Sequence, residues 1–220
     1  MAAPDRQASR AWRRSVPKRS IDMPPEPTNG ARKPWLNLGC GPRTPRDWIN
    51  CDISAVPGVD VAMDIRCGMP FRSGSIECVA VIHVLQDLSW DEIAPALAEL
   101  HRVLKDGGVL RLAVPDLDKA VQAYLANDAR YFYVPDRDAK AIGAKLVTQI
   151  IWYGSVRTPC TFDFVDEWLH NARFFDIARM QFGETRMPGL ATLDNRERET
   201  LFVEAVKRAD AHAQCNFNQR

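Results

Sequence analysis

The sequence predicts an α/β fold with a mostly parallel sheet that ends in an antiparallel pair of strands. Consecutive apolar residues, typical of strands buried on both faces, occur in five short runs, at residues 35–38, 48–53, 59–63, 77–82 and 109–114. A helical pattern separates the last two runs, and strand, helix, strand at this spacing indicates a parallel crossover. Two later apolar runs, at 177–182 and 201–206, have no helix between them and favour an antiparallel hairpin.

The helix before the fifth run has clear boundary signals. Ser89 and Glu92 have the spacing of a capping box, which predicts the start of the helix. Gly107 and Gly108 are expected to end it. Between these signals, apolar residues recur every three or four positions, at Ile93, Leu97, Leu100 and Leu104. Helical periodicity returns at residues 117–125, 142–154 and 164–174.

The composition predicts one sizeable core and excludes several classes of function. The 220 residues are 46% hydrophobic, and 29 basic against 28 acidic side chains leave a net charge of +1. A chain so nearly neutral has no overall field to draw it to nucleic acid or anionic lipid. No run of about 18 apolar residues predicts a membrane span. Six cysteines without a C-x-x-C pair argue against a zinc cage or a disulfide framework and fit reduced thiols in the cytoplasm.

Composition also divides the chain. Residues 1–33 hold eight basic residues, three acidic residues and five prolines, which predicts a disordered tail. The tail is either a solvated leader or an arm that binds a partner. Residues 34–208 form the predicted domain, and residues 209–220 are expected to be a second flexible tail.

The first predicted strand runs directly into a glycine turn. Gly39 and Gly41 allow the backbone to turn sharply and allow a ligand to lie against bare main chain, where a Cβ would intrude. Position 44 is Thr, so the third glycine of the dinucleotide fingerprint is missing. The turn alone therefore does not distinguish a ligand site from an ordinary tight turn.

Two carboxylates follow the next two predicted strands. Asp52 ends the second strand, where a carboxylate can accept both hydroxyl groups of a ribose, and Asp64 ends the third, where it can accept from an adenine amino group. The carboxyl ends of parallel strands meet at one edge of a sheet, which is where open α/β sheets bind ligands. The glycine turn and the two acids therefore predict a nucleoside site at this edge.

The order of these segments resembles that of a class I S-adenosylmethionine-dependent methyltransferase. The resemblance covers roughly residues 35–207, and its main stretches are L-N-L-G-C-G-P at 36–42, C-D-I at 51–53, M-D-I-R-C-G-M-P-F at 63–71, V-I-H-V-L-Q-D-L at 81–88 and E-L-H-R-V-L-K-D-G-G-V-L at 99–110. More narrowly, the chain is similar to predicted bacterial methyltransferases associated with surface polysaccharides, which carry a segment like L-D-N-R-E-R-E at 193–199. The resemblance implies S-adenosylmethionine as the cofactor and a Rossmann-like sheet.

The resemblance also implies roles for individual residues. Gly39 and Gly41 would cradle the methionine end of the cofactor, Asp52 would hold the ribose, and Asp64 would reach the adenine. His83, just after the fourth strand, would face the sulfonium region. The cofactor set is completed by neighbours of these residues, Asn37, Cys40, Ile53 and Ile65.

The base for an oxygen or nitrogen acceptor is left open among three residues. His83, Asp87 and Asp116 are all predicted at the carboxyl edge of the sheet, with a slight preference for His83. Related sequences often have a second histidine where this chain has Asp87, and an acid where it has Asn37. A mechanism that relies on a second imidazole is therefore not favoured.

The spacing of the first three strands leaves no room for the usual first two helices. Only six residues separate Gly41 from the second strand, whereas a parallel crossover usually needs a dozen or more. Either these connections are extended and the apolar sheet face is covered in another way, because exposing it to water would be costly, or one of the predicted strands is wrong. Residues 127–161 or a second subunit are the expected covers.

The acceptor pocket is expected between Asp116 and Pro188, with residues 126–162 as an insertion that forms a lid. The candidate lining residues are Tyr124, Tyr131, Tyr133, Trp152, Tyr153, Asp163, Trp168 and His170. Trp152 is the favoured pocket residue, whereas Tyr124 and Trp168 have helical spacing and are expected in the core. The charged run at 194–199 is expected to be an exposed approach to the last strand.

The sequence leaves the acceptor and the class of function partly open. A small molecule or a glycan is the expected acceptor, and a homodimer is one arrangement that would cover the sheet. A non-catalytic cofactor-binding module and a nicotinamide-dependent oxidoreductase are the alternatives. Against the oxidoreductase stand the missing third glycine and the second acid, Asp64.

Overall fold

The protein contains a seven-stranded sheet in the part of the chain that the computed structural model describes, residues 33–187 and 189–208. The strand order is β3-β2-β1-β4-β5-β7-β6. The strands are β1 (Trp35–Leu38), β2 (Ile49–Asp52), β3 (Val61–Ala62), β4 (Ile76–Ile82), β5 (Leu104–Pro115), β6 (Phe174–Met180) and β7 (Thr200–Lys207). Strands β1 to β5 pair in parallel, and β7 pairs antiparallel with both β5 and β6. The predicted mixed sheet with an antiparallel end is confirmed.

Four α-helices accompany the sheet in the described residues. They are α1 (Trp90–Val103), α2 (Leu117–Leu125), α3 (Ile142–Ile151) and α4 (Phe162–Asn171). The capping box at Ser89 and Glu92 forms as predicted. None of the helices in the described residues is long and apolar enough to cross a membrane. The tails predicted at residues 1–33 and 209–220 lie outside the described residues, except for Lys33.

Two predicted helix ends are wrong. Helix α1 stops at Val103, before the two glycines, and Gly107 lies inside β5 with a φ of +79° at an irregularity in the β4–β5 pairing. Helix α4, predicted over 164–174, ends at Asn171. Arg173 has a φ of +65°, which no α-helix accommodates, and Phe174 begins β6.

The sheet separates two hydrophobic layers, as the alternation of side chains along a strand requires. On β4, Val79 and Val81 face a layer built with α1 and α4, whereas Cys78, Ala80 and Ile82 face the opposite layer. Helix α1 buries the stripe that its periodicity predicts, which includes Ile93, Leu97 and Leu100. This first layer holds most of the core.

The second layer is covered by a segment that was not expected to cover it. The described residues contain no helix between β1 and β2 or between β2 and β3, as the short spacing predicted. Leu190 and Leu193 pack on this face beside Trp35 and Trp48. A Cβ on Gly189 would lie 2.8 Å from the Trp35 ring, so the chain passes directly over that ring. The cover is therefore residues 181–187 and 189–199, and not residues 127–161, one of the two expected covers.

A buried ion cluster fixes this covering segment to the sheet. Arg111 on β5 and Glu204 on β7 are register partners, and Asp194 comes from the covering segment. The Arg111 guanidinium donates to both carboxylates, at 2.8 Å to Glu204 and at 2.8 and 2.5 Å to Asp194, and all three side chains are fully buried. Glu204 also accepts from the Thr185 hydroxyl at 2.6 Å. The charged run at 194–199 is thus not simply an exposed approach, because Asp194 is part of the core.

Candidate active site

The strand register brings the predicted site residues to one edge of the sheet. Leu38 pairs with Cys51, so Gly39 lies level with Asp52, and Asp52 itself pairs with Ala62. Leu38 also pairs with Val81, which places His83 just beyond the same level. The carboxyl ends of β1, β2, β3 and β4 therefore form one continuous rim, as expected for a ligand site in an open α/β sheet.

The glycine turn has the geometry that only glycine accommodates without strain. Gly39 and Gly41 have φ values of +67° and +50°. A Cβ on Gly39 would lie 2.1 Å from Cγ2 of Val84, whereas one on Gly41 would meet nothing within 4 Å. Gly39 is therefore required by packing against the β4 loop, and Gly41 leaves open space above the main chain.

Asp52 is joined directly to this turn. Its Oδ2 accepts from the Gly41 N–H at 2.9 Å, and its Oδ1 accepts from the Ser54 N–H at 3.0 Å. The predicted convergence of the glycine turn and the first acid is thus present, and the carboxylate is held in a fixed orientation. Ile53, beside it, is half exposed and offers an apolar surface at the rim.

Asp64 lies at the same edge, but its carboxylate is bound by a neighbouring side chain. Arg66 donates from Nε to both carboxylate oxygens, at 2.8 and 3.0 Å. The Asp64 carboxylate also accepts from the Arg66 N–H and so caps the short 3-10 helix of residues 65–67. Arg66 also lies 3.6 Å from Glu92 at the start of α1. Ile65 is buried in the first layer, so it supports the edge from below.

Asn37 and Cys40 support the turn from inside the protein. The Asn37 amide donates to the Asn50 side chain at 3.0 Å and to the Arg43 carbonyl at 2.8 Å, and the residue is buried. Burial, reinforced by the charge of Asp52, raises the pKa of the Cys40 thiol to about 11, so it is a neutral packing group at physiological pH. Both residues shape the turn through internal contacts.

His83 occupies a strained position between the turn and a cavity. Its φ is +56°, which is uncommon for a residue other than glycine. Nε2 lies 3.2 Å from the Thr200 hydroxyl, while Nδ1 is buried without a hydrogen-bond partner. Burial, together with the charge of Arg196, lowers the pKa of His83 to about 4. The imidazole is therefore neutral at physiological pH.

A cavity of about 240 Å³ opens beside His83, and we call it the acceptor cavity. Its walls come from five separate parts of the chain. They are the loop after β4, the end of β5 with the start of α2, the 3-10 turn that ends at Tyr131, the end of α3 with the turn that follows it, and the turn before β7. The polar and aromatic residues that line the cavity include His83, Gln86, Asp87, Asp116, Tyr131, Trp152, Arg196 and Glu199.

The carboxylates of the cavity are in unequal environments. Partial burial raises the pKa of Asp87 to about 6, despite a hydrogen bond from Gln86 and the charge of Arg196. Burial likewise raises the pKa of Glu199. Asp116 caps α2, with Oδ1 accepting from the Lys119 N–H at 3.2 Å, and its Oδ2 is buried without a hydrogen-bond partner.

Of the eight residues predicted to line an acceptor pocket, two line this cavity and six do not. Tyr131 and Trp152 line the cavity, as do Asp87 and Asp116. The other candidates lie elsewhere: Tyr124, Tyr133 and Tyr153 are exposed, Asp163 accepts from the Phe164 N–H at the start of α4, Trp168 stacks with Phe164, and His170 contacts Asp166.

Sequence reasoning missed Gln86, Arg196 and Glu199 as lining residues. The L-D-N-R-E-R-E segment at 193–199 was the one available signal for Arg196 and Glu199, through its place in the resemblance. Its charge pattern favoured an exposed position, but the ion pair of Asp194 with Arg111 turns the segment inward. No sequence pattern pointed to Gln86.

Comparison with known proteins finds similarity to methyltransferases. Residues 44–112, about a third of the chain, match a family model described as a methyltransferase domain. Among solved structures, a methyltransferase from Thermotoga maritima, described as S-adenosylmethionine-dependent and a possible histamine N-methyltransferase, has a TM-score of 0.52 at 16% identity, over 79% of this chain and 82% of that one. A second such methyltransferase, from Archaeoglobus fulgidus, has a TM-score of 0.50 at 12% identity, over 81% and 87%. These likenesses establish the Rossmann-like fold of such enzymes.

A curated relative is more similar in sequence but adds no activity. The uncharacterized 37.1 kDa protein of transposon Tn4556 from Streptomyces fradiae is 32% identical over 112 residues. The match covers 40% of this chain and 32% of the relative, so the chain matches about a third of that protein's length. The family match and the fold together support an enzyme that uses S-adenosylmethionine.

The residues at the sheet edge fit that cofactor. Gly41 leaves space above the main chain where a ligand can approach, and Asp52 is fixed beside it. Ile53 offers a half-exposed apolar surface suited to one face of an adenine ring. We call this group of residues, Gly39 to Gly41 with Asp52, Ile53 and Asp64, the cofactor edge.

Proposed function

We propose that the protein transfers a methyl group from S-adenosylmethionine to a small acceptor held in the acceptor cavity. One observation carries the proposal: His83 and Val84 connect the two sites. The side chain of Val84 packs against Gly39 of the glycine turn, and His83, the preceding residue, lines the cavity. An acceptor in the cavity would therefore lie next to a cofactor bound over the turn.

The contribution of this chain is mainly placement. When bound, S-adenosylmethionine supplies a methyl group on a sulfonium, whose sulfur leaves as a neutral thioether. The glycine turn and Asp52 would hold the cofactor, with Asp64 and Ile53 at its nucleoside end. Holding the acceptor at the right distance and angle can lower the barrier by about 7–11 kcal/mol at best.

Proton removal from the acceptor favours Asp87 over His83. A general base works best when its pKa is near the operating pH, and the pKa of about 6 at Asp87 is closer to neutrality than the pKa of about 4 at His83. His83 is better suited to accept a hydrogen bond from the acceptor and orient it. We therefore propose Asp87 as the base, although the sequence alone slightly favours His83.

The finer assignments extend this proposal. The acceptor is an oxygen or nitrogen group on a small molecule or glycan, with residues 126–162 as the lid that closes over it. A role with surface polysaccharides follows from the sequence resemblance. Five cysteines of the described residues are unpaired thiols, which supports a cytoplasmic location. Exposed apolar side chains on α2 and α3, such as Leu125 and Val147, support a homodimer.

Two measurements test the proposal. Isothermal calorimetry should detect binding of S-adenosylhomocysteine and no binding of NAD, and the reverse result would favour the oxidoreductase. S-adenosylmethionine labelled in the methyl group should then transfer label into a small-molecule and glycan extract. Cofactor binding without any transfer at saturating cofactor would favour a non-catalytic binding module.

A further inference from the structure

Four residues that line the acceptor cavity each hold a buried polar atom without a hydrogen-bond partner. The atoms are Nδ1 of His83, Oε1 of Gln86, Oδ2 of Asp116 and the hydroxyl of Tyr131. Leaving a buried polar group unpaired costs about 1–3 kcal/mol. Native proteins pair nearly all such groups, so four on the lining residues of one cavity indicate that a polar ligand belongs there.

Three of these four atoms accept hydrogen bonds and do not donate them. The side-chain oxygens of Gln86 and Asp116 are acceptors by their chemistry. For His83 the tautomer follows from its neighbour. The Thr200 hydroxyl is 2.7 Å from the Arg196 carbonyl, which can only accept, so the hydroxyl donates there. The 3.2 Å contact with His83 is then an Nε2–H donor, which leaves Nδ1 as an acceptor. The missing ligand must therefore donate several hydrogen bonds.

The charges around the cavity favour a positive ligand. Asp87, Asp116 and Glu199 line it against a single cation, Arg196. Lys119 and Arg179 lie 3.9 and 4.0 Å from Oδ2 of Asp116 but do not line the cavity. Burial raises the pKa values of Asp87 and Glu199, and the charge of Arg196 only partly opposes this effect.

Aromatic rings complete the environment. Tyr131 and Trp152 both line the cavity, and an ammonium group is attracted to the face of such rings. A neutral polyol could also stack on them and donate hydrogen bonds. It would leave the excess of carboxylates uncompensated, so the charges favour the ammonium.

We infer that the methyl acceptor is a primary or secondary amine that enters the cavity as its ammonium form, an inference that rests on the proposed methyl transfer. One N–H proton passes to the Asp87 carboxylate, which frees the nitrogen lone pair. That lone pair forms the new N–C bond as the C–S bond breaks and its electron pair returns to sulfur. The product leaves as the methylated ammonium, and the proton on Asp87 is lost to solvent.

The test compares amines with alcohols of the same shape. The full chain, saturated with S-adenosylhomocysteine, is titrated by calorimetry at pH 7.5 with 2-phenylethylamine and 2-phenylethanol, and with glucosamine and glucose. We expect the amine to bind more tightly by about tenfold or more in at least one pair. Equal binding, tighter binding of the alcohols, or no binding of any probe overturns the inference.

A pair of matched variants locates the effect. Glu199→Gln removes one cavity charge, and Glu197→Gln makes the same change two residues away on an exposed side chain outside the cavity. The preference for the amine should fall several-fold in Glu199→Gln and stay unchanged in Glu197→Gln. Equal effects of the two changes, with both variants folded, also overturn the inference.

The outcomes separate this inference from the proposed function. Label transferred to an alcohol or sugar and not to an amine leaves the methyltransferase in place and removes the amine. Failure to bind S-adenosylhomocysteine rejects the proposed methyltransferase activity. The preference for amines is then measured on the chain without cofactor, and its absence there rejects the amine inference as well.

Discussion

The cofactor edge and the acceptor cavity lie side by side but are built in different ways. The cofactor edge consists of short segments that each follow a strand, and its polar groups are already paired: Asp52 with Gly41 and Ser54, and Asp64 with Arg66. The acceptor cavity is assembled from five separate parts of the chain, and several polar atoms of its lining residues lack partners. The first site is organised before any ligand arrives, whereas the second depends on tertiary packing and is completed by its ligand.

The largest expected effect tests the dependence of the cavity on packing. Arg111→Met leaves the buried carboxylates of Asp194 and Glu204 without their cation and should lower the free energy of unfolding by about 3–5 kcal/mol in urea titrations. Since the cofactor edge is held by local contacts, the folded variant should bind S-adenosylhomocysteine within about threefold of the parent.

The control for this change is Arg130→Met, because the Arg130 side chain is 98% exposed and should contribute less than about 0.5 kcal/mol. A loss in Arg111→Met no greater than in this control would show that the covering segment is held by its apolar contacts alone. Neither the cofactor edge nor the acceptor cavity would then depend on the long-range ion pairs of Arg111.

The next effect tests the cofactor edge. Gly39→Ala places a methyl group 2.1 Å from Val84 at a φ of +67°, so the turn must shift. We expect S-adenosylhomocysteine to bind about a hundredfold more weakly by calorimetry. Gly74→Ala is the matched control, since its φ is +64°, its Cβ would meet nothing within 4 Å and it lies outside the site. Equal affinities of the two variants would mean that the turn does not hold the cofactor.

A smaller effect is expected for the first acid. Asp52→Ala removes the carboxylate fixed beside Gly41 and should weaken binding of S-adenosylhomocysteine by about tenfold. The fold should remain, as judged by circular dichroism. Asp47→Ala, at an exposed position before β2, serves as the control. Unchanged affinity in Asp52→Ala would reject the ribose assignment.

The smallest expected effect tests the raised pKa of Asp87 in the cavity. The pKa of Asp87 is raised to about 6 in the folded protein, so its ionised form opposes folding above that pH. Asp87→Asn should therefore raise Tm at pH 7.5, by about 2 °C because the side chain is partly exposed and screened. The gain should shrink as the pH falls through 6, where Asp87 takes up a proton. A gain that is constant from pH 7.5 to pH 4.5 would contradict the raised pKa.

The same contrast explains what could be predicted from the sequence. Gly39, Asp52 and Asp64 each follow a strand with a clear apolar pattern, and parallel pairing alone brings them to one edge. The predicted strands and the sheet order of the antiparallel end follow from similarly local signals. Local patterning is therefore sufficient for the cofactor edge.

It is insufficient where long-range contacts decide the position of a residue. Glu199 lies in a charged run typical of an exposed surface, but the pairing of Asp194 with Arg111, 83 residues apart, turns the run inward. Leu190 packs on the sheet face that helices after β1 and β2 would otherwise cover. The sequence around Leu190 gives no signal that this face is uncovered. Gln86 enters the cavity through the loop after β4, without a pattern of its own.

The covering segment, residues 181–187 and 189–199, links the architecture of the sheet to the choice of acceptor. It packs over Trp35 and Trp48, on the sheet face that has no helices from the β1–β2 and β2–β3 connections. Two residues near its end, Arg196 and Glu199, form part of the cavity wall. Directed evolution toward new acceptors in this segment will therefore trade selectivity against thermal tolerance. Libraries confined to Trp152, just after α3, leave that segment unchanged and are the better starting point for engineering.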